Sequence, residues 1–540
     1  MIRLDRRQLI ATSAFGLGGL VLPGGLVTAQ VLSGARGFTH NVASGEPASD
    51  SALLWTRYVG SGTSARLKVE VAEMPDFARI VSGGEMLTGA WRDWTAKITV
   101  AGLLPNRRYH YRFVGPDGGF SPVGRTKTLP TGATPRFAIG VFSCSNLPVG
   151  AFNAYAHAAA RDDLDVVMHL GDYFYEYKRG VYPPDGPRWD AIMPATETIA
   201  LADYRLRFAS YRTDPDLQAI HNRHPMIASM DDHESTNDSW EGAAQNHQPE
   251  EGDWIMRKLA SLQAYREWMP VSDAPYGSYD IGDLATLYRT ETRLLARTKE
   301  PDPSALFARP DVPAALAEFK TTVLADPAAT MMGTAQEHWL AKGMRASTAA
   351  KRRWQVVGSG TIMGQTFTPP QTPDWLAPDA SEFIRRRVQA GIALARAGIP
   401  NNLDAWGGYP AARARLLSAA QRANANLVML AGDSHNAWAY ELANGGRRAG
   451  VEFAGHAVSS PGYESVAKVA AATVAAGLIK ASPELKWCDT SRRGYMALTL
   501  TPQAATNEWV FMQTIATRDI ATQPSHRMRV RTGTATLETV

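Results

Sequence analysis

Only two of the 540 residues are cysteine, Cys144 and Cys488, and they stand far apart. Two thiols allow at most one disulfide, so a densely bridged scaffold is excluded and a chain of this length must rely on its core. An excess of one charge is also missing. Lys and Arg number 56 against 52 Asp and Glu, a net +4, too little for its length to imply a nucleic-acid or polybasic membrane partner. Low-complexity segments and short repeats are absent. The apolar run from Ile10 to Leu22 falls short of the ~20 residues that cross a bilayer.

What the first residues do hold is a basic start, Arg3, Arg6 and Arg7, followed by that short apolar run and by Val27-Thr28-Ala29 before Gln30. Paired arginines ahead of an h-region-sized segment and a small-residue site have the form of a twin-arginine export signal. Residues 1–29 are therefore set apart from the fold. The implied partner is the twin-arginine translocation machinery, with a periplasmic or secreted destination and no stable membrane anchor. Export in the folded state suits a protein whose metal must be chosen inside the cell, because affinity order alone would select the wrong ion outside.

From residue 30 to 130 the text consists of short, mostly alternating runs: Ser51–Arg57, Leu67–Val71, Lys97–Val100 and Arg108–Phe113. Turn signals such as Gly60-Ser61-Gly62 and Pro116-Asp117-Gly118-Gly119 divide them. This spacing predicts a small antiparallel β-sandwich with Trp55 and Tyr109 as core aromatics. Leu129 to Pro135 reads as a linker. From 136 to 540, strand-like runs alternate with helical text (Ala151–Arg161, Leu201–Tyr211, Asp253–Trp268, Ala411–Ala425), which predicts an α/β domain. On the Leu201–Tyr211 helix, Asp203 and Arg207 have the spacing of a solvent-face ion pair. The residues after Pro502 read as a terminal strand pair or extension with no predicted place.

The chemistry is concentrated where four apolar runs end. Phe137–Phe142 leads into Ser143-Cys144-Ser145-Asn146, and Val166–Leu170 into Gly171-Asp172-Tyr173-Phe174-Tyr175-Glu176. Met226–Met230 leads into Asp231-Asp232-His233-Glu234, and Leu427–Ala431 into Gly432-Asp433-Ser434-His435. Ligands in open α/β sheets sit beyond the carboxyl ends of strands. Four such ends carrying a thiol, carboxylates, a phenol and imidazoles predict a metal-centred hydrolase. Asp172 is the candidate bridge between two metals and also a catalytic residue. Cys144 and Tyr175 suit a trivalent iron, although a core aromatic with a hydrated tip is an equal reading of Tyr175. Asp232, with or without Asp231, would serve a second metal, and Asn237 offers an amide oxygen of the kind calcium accepts. His233 would touch a phosphate oxygen or protonate the leaving group. Asp433 and His435 lie on opposite phases of a turn, so both reach one site only if the backbone there is irregular. Arg293 and Arg413 read as phosphate clamps or, with better odds, as structural ion-pair partners. Cys488 reads as a buried, inert thiol.

These strand ends, together with Val42-Ala43-Ser44-Gly45-Glu46-Pro47, Leu54-Trp55-Thr56-Arg57 and Ser459-Ser460-Pro461-Gly462, resemble the PhoD-type alkaline phosphatase/phosphodiesterase family. The resemblance spans nearly all the chain after the export segment. It implies a four-layer α/β/β/α metallophosphoesterase sandwich (calcineurin-like) preceded by the β-sandwich domain. It also implies a secreted phosphoric ester hydrolase using a metal-activated hydroxide, with Fe3+ and Ca2+ as cofactors and a phosphate ester as substrate. Cys144, Asp172, Tyr175 and His435 would lie around iron, with Asp172, Asp232 and Asn237 towards calcium. One departure is Thr290-Glu291-Thr292-Arg293, which carries Glu where the family more often has Asp. Two other readings remain: a phospholipase-D-like diesterase, and an envelope-binding protein with a vestigial site.

Overall fold

The computed structural model describes residues 35–540, so the expected export segment, residues 1–29, lies outside the described residues. The strand-like runs sort into three sheets. The largest has ten strands. From edge to edge they are Leu537–Thr539, Thr522–Arg531, Ala504–Met512, Gly494–Leu500, Phe137–Phe142, Val166–His169, Met226–Ala228, Gly37–Gly45, Ser51–Val59 and Thr95–Ala101. A second, seven-stranded sheet runs Gly277–Ile281, Ala285–Arg289, Trp354–Ser359, Leu427–Ala431, Arg447–Ala454, Ala437–Asn444 and Leu485–Asp489. The residues after Pro502, unplaced from the sequence, supply three strands at one edge of the first sheet.

The two large sheets face one another. Their shared filling includes Ile139, Val141, Met168 and Leu170 from the first and Leu287, Val356, Val428 and Phe453 from the second, all buried. Helices Asn153–Ala159, Leu201–Tyr211, Pro215–Arg223 and Trp254–Trp268 cover the outer face of the first sheet. Helices Gly333–Ala349, Pro410–Ala423 and Ala471–Ala481 cover the second. This is the four-layer α/β/β/α arrangement. Strands covered on both sides read as continuous apolar runs, which is why the inner strands were legible without alternation.

The third sheet, Ile80–Gly89, Ser64–Ala72, Arg108–Val114 and Gly124–Lys127, completes the antiparallel sandwich. Its partner sheet is continuous with the ten-stranded one, through the pairing of Gly45 with Met226. A side chain at position 45 would collide with the Pro270 and Met226 carbonyls, so the contact requires glycine. Tyr109 lies in the sandwich core as predicted. Trp55 is equally buried but packs elsewhere: its indole donates to the Glu267 carbonyl at 2.8 Å, and Arg212 stacks over the ring at 4.1 Å. It cements the sandwich to the helical layer of the larger domain. Leu129, in the predicted linker, is buried between the large sheets.

The helix Leu201–Tyr211 forms as predicted, but Asp203 and Arg207 do not pair. Asp203 turns back to cap the helix, accepting from the Ala200 amide at 2.8 Å. Arg207 is fully buried and donates to the carbonyls of Tyr175, Tyr177, Pro194 and Thr196. Five donors on a rigid fork can satisfy several loop carbonyls at once, a need that helical spacing does not reveal.

Candidate metal centre

Register places the strand ends side by side. Phe142 and Ala228 flank His169 in the first sheet. Ser359, Ala431 and Ala454 are similarly aligned through the second. The loops that follow are then joined backbone to backbone. The Cys144 amide donates to Gly171 at 3.2 Å and the Ser145 amide to Asp172 at 2.9 Å, while the Gly432 amide donates to Gly360 at 2.9 Å. The Ser459 and Ser460 amides reach the Cys144 carbonyl at 3.4 and 3.3 Å, tying the two sheets' loops together.

The loop backbones are strained. Cys144, Asp172, Asp433 and His435 all have positive φ, at 59°, 55°, 64° and 60°. Such left-handed residues other than glycine cost of order 1–3 kcal/mol each and persist where the surroundings dictate them. Two of them at positions 433 and 435 supply the irregular backbone that the turn required. Gly171 has φ +109°, and a Cβ there would overlap Asp231. That glycine lets the second and third strand ends close on each other.

One cluster consists of Cys144, Asp172 and His435, whose donor atoms lie within 4.8 Å of one another. Tyr175 completes it: its phenol oxygen stands 3.2 Å from Asp172 Oδ2 and 3.1 Å from His435 Nε2, and accepts from Ser460 Oγ at 2.7 Å. His435 Nδ1 donates to the Pro461 carbonyl at 2.8 Å, leaving Nε2 with its lone pair towards the cluster. Burial holds that imidazole neutral, with its pKa lowered to about 3. Burial, then the nearby Asp172, pushes the Cys144 thiol and the Tyr175 phenol well above their ordinary values.

A second cluster, Asp172, Asp232 and His233, shares the Asp172 carboxylate with the first. Asp172 is fully buried, and its carboxyl is pushed well up, first by burial and then by Asp232 and Asp231 despite the opposing His233. Asp232 Oδ2 accepts from the Asp238 amide at 2.8 Å. The Oδ1 atoms of Asp172 and Asp232 are both buried without a hydrogen-bond partner. Unpaired carboxylate oxygens in an apolar setting cost several kcal/mol each unless a cation meets them. The donor set of thiol, carboxylate, phenol and imidazole therefore fits bound metal.

The remaining predicted residues fall around this pair of clusters. Asp231 is an ion-pair partner, held by Arg293 at 2.7 Å, and is buried; neither it nor Asp232 is a surface acid. Arg293 and Arg413 are likewise ion-paired, Arg413 with Glu484 at 2.8 Å. Asn237 and Asp433 stand outside both clusters. They line a cavity of about 460 Å³ together with Asp404, Trp438, Tyr463 and Arg387. Asn237 donates its amide nitrogen to Gln245 at 3.0 Å, so the amide oxygen is the atom left for a cation. Glu291, the family departure, accepts from the Arg293, Leu294 and Leu295 amides at 3.0, 2.6 and 2.9 Å, and so organises a turn. The two cysteines are unpaired. Cys488 is buried, its thiol pushed up to about 12, first by burial.

Reading the sequence assigned no role to Glu176, Glu234 or Tyr182. Glu234 accepts from the Tyr173 and Asp231 amides at 2.5 and 2.8 Å, bracing two strand ends. Tyr182 lies 3.3 Å from His435 Nδ1. Glu176 and Glu234 each follow directly on a ligand-rich motif, and an acid in that position was the available signal.

Residues 137–509 match the PhoD-like phosphatase family, and residues 25–130 match the PhoD-like phosphatase N-terminal domain. Alkaline phosphatase D of Bacillus subtilis (strain 168) is 31% identical over 500 residues, which cover 86% of this chain and 76% of that protein. A solved structure of PhoD superposes with a TM-score of 0.76 at 28% identity, covering 94% of this chain and 92% of that one. The purple acid phosphatase PPD1 from yellow lupin seeds shares the fold, with a TM-score of 0.53 at 13% identity over 91% of this chain and 74% of its own.

Proposed function

The chain belongs to the PhoD-like phosphatase family and is a phosphoric ester hydrolase, and on that premise we propose which residues carry the reaction and which metals they hold. Cys144, Asp172, Tyr175 and His435 hold a ferric ion, and Asp172, Asp232 and Asn237 hold calcium, with Asp433 on the calcium side of the cavity. The observation that carries this reading is the sharing of Asp172 between two clusters, with one oxygen of Asp172 and one of Asp232 buried and without a hydrogen-bond partner. A thiolate and a phenolate together favour iron(III) over magnesium, whereas carboxylate and amide oxygens suit calcium. When bound, the metals neutralise charge on the phosphoryl group and make a water nucleophilic near neutral pH.

The chain's own groups do the rest. Asp172 orients both halves of the centre from a rigid strand end. His233 is placed to deliver a proton to the leaving oxygen, being buried beside Asp172 and Asp232 with its ring against Tyr175 at 4.1 Å between centroids. The cavity lined by Asn237 and Asp433 receives the ester. The division into an export segment 1–29, a sandwich domain 30–130 and a catalytic domain 136–540 belongs to the same reading.

Chelation tests the metal assignment. Stripping iron and calcium from purified enzyme should abolish turnover of p-nitrophenyl phosphate and of its bis ester, and re-adding both ions should restore it. Undiminished turnover after elemental analysis shows the ions gone would sink the assignment. Localisation is proposed as periplasmic or secreted by the twin-arginine route, on the strength of Arg6-Arg7 and the segment after them. No helix among the described residues is long and apolar enough to cross a membrane. Replacing Arg6 and Arg7 by lysine should leave active enzyme in the cytoplasmic fraction; continued export would overturn the proposal.

A further inference from the structure

The Glu382–Arg396 helix carries three arginines in succession, Arg385, Arg386 and Arg387, and each is used differently. Arg385 donates to the Ala377, Pro378 and Ala380 carbonyls at 3.3, 2.6 and 3.1 Å, tying down the loop ahead of the helix. Arg386 pairs with Glu382, one turn back, at 2.9 Å. Successive helical residues point about 100° apart, and the third arginine is turned onto the cavity of about 460 Å³ that Asn237 and Asp433 also line. Among the described residues Arg387 forms no ion pair; its guanidinium lies 5.9 Å from the centroid of the exposed Phe383 ring. It belongs to neither metal cluster. Asp404, an acid on the same lining, is already held by Arg293 and Arg297. The wall that Arg387 shares with Trp438 and Tyr463 is fixed: the indole donates to Ser434 Oγ at 2.6 Å, and the Tyr463 ring meets it edge-on with centroids 6.2 Å apart. Leu394, two turns further along the helix, is buried in one apolar cluster with Leu316 and Phe319.

We infer that Arg387 selects the substrate: it binds a second oxyanion, carried by the alcohol part of the ester. This rests on the proposal that the cavity receives the ester. The metal clusters take the phosphoryl group being cleaved, so a guanidinium outside both is left for the remainder of the molecule. Five N–H donors in a planar fork match a carboxylate or a further phosphate, and an uncharged alcohol offers them nothing of comparable strength. The substrate class is thereby narrowed to phosphate esters of anionic alcohols.

Matched esters test this. Phosphoglycerate and glycerol phosphate, each phosphorylated on a terminal hydroxyl, differ only in a carboxylate against a hydroxymethyl group, and glycerol bisphosphate puts a phosphate at that end. Wild type should prefer the charged esters in kcat/KM, and the larger of the two preferences identifies the oxyanion. In Arg387→Gln the KM for the preferred ester should rise ~10-fold, the scale of one charge-assisted hydrogen bond. Its kcat should hold, as expected where ground state and transition state lose the same contact. Glycerol phosphate should shift by no more than about threefold, the scale of an exposed charge. Arg387→Lys should keep part of the preference. Arg387→Glu should transfer it to phosphoethanolamine, whose alcohol carries an ammonium, a reversal that a merely structural arginine would not permit. The melting temperature and the iron and calcium contents of Arg387→Gln should match wild type. Equal KM shifts on charged and uncharged esters, no shift on any, or a wild type without the preference would overturn the inference. A wild-type enzyme that hydrolyses none of these esters, nor p-nitrophenyl phosphate, would instead overturn the underlying functional reading.

Discussion

Arg293→Met should unfold the protein at markedly lower denaturant, with a loss of about 3–5 kcal/mol, the usual cost of leaving a buried charge without its partner. The guanidinium is fully buried and serves three acids: Nε reaches Asp231 at 2.7 Å, Nη1 reaches Asp404 at 2.8 Å, and Nη2 lies 3.8 Å from Asp232. Asp404 keeps Arg297 as a second partner, whereas the Asp231 side chain has Arg293 alone for its hydrogen bonds. Methionine fills most of the volume, so the deficit is electrostatic rather than a cavity. Arg293→Lys should recover only part, because an ammonium cannot bridge Asp231 in a fork and meet Asp404 on the far side. Pairing Arg293→Met with Asp231→Asn removes the stranded charge and should restore more than half the loss, which a double-mutant cycle in urea would read directly. If the single variant unfolds at the wild-type midpoint, the arginine is not the keystone of this acidic cluster. The clamp role for Arg293 gives way on the same geometry, since its donors are already committed to carboxylates.

That Arg293 was visible as an arginine but not as a hub shows where legibility ends. The strand ends could be read because a parallel strand buried on both faces is a continuous apolar run, and because metal-ligand residue types at the ends of four such runs are not explained by packing. Cys144, Asp172, Tyr175 and His435 came together on that basis. Side chains whose partners stand far along the chain could not be read. Arg207 meets the carbonyls of residues 11 to 32 positions away, and Glu176 meets donors 57 to 70 positions away. No periodicity encodes such contacts. Trp55 failed differently: aromatic and buried were both right, but burial has two sides, and the side chosen depends on how the sandwich sits on the Trp254–Trp268 helix. Asp433 and His435 needed backbone torsions that residue types alone leave open, and the strained pair delivers only the histidine into the first cluster.

Asp172→Asn should abolish catalysis, by three orders of magnitude or more on the scale of losing essential electrostatic stabilisation, and should do so with less iron and less calcium bound. Both clusters share this one carboxylate, so a neutral amide weakens both at once. The informative half of the prediction concerns stability. Burial and the neighbouring Asp232 and Asp231 raise the Asp172 pKa well above its ordinary value. The sign follows from linkage: a carboxyl whose folded pKa exceeds its unfolded one binds its proton more tightly when folded, so it lowers stability progressively as pH rises from the unfolded value through the folded one. In the metal-free protein near neutral pH, asparagine removes that penalty at almost constant volume. Metal-free Asp172→Asn should therefore melt at or above the temperature of metal-free wild type, with the difference shrinking towards pH 4. In the presence of both ions the order should reverse, because only wild type gains the stabilisation that binding to the native state confers. Calorimetric melts of both proteins, with and without ions, at two pH values would decide it. A variant that melts below wild type in all four conditions would make Asp172 a structural residue, and the shared-carboxylate centre would lose its foundation.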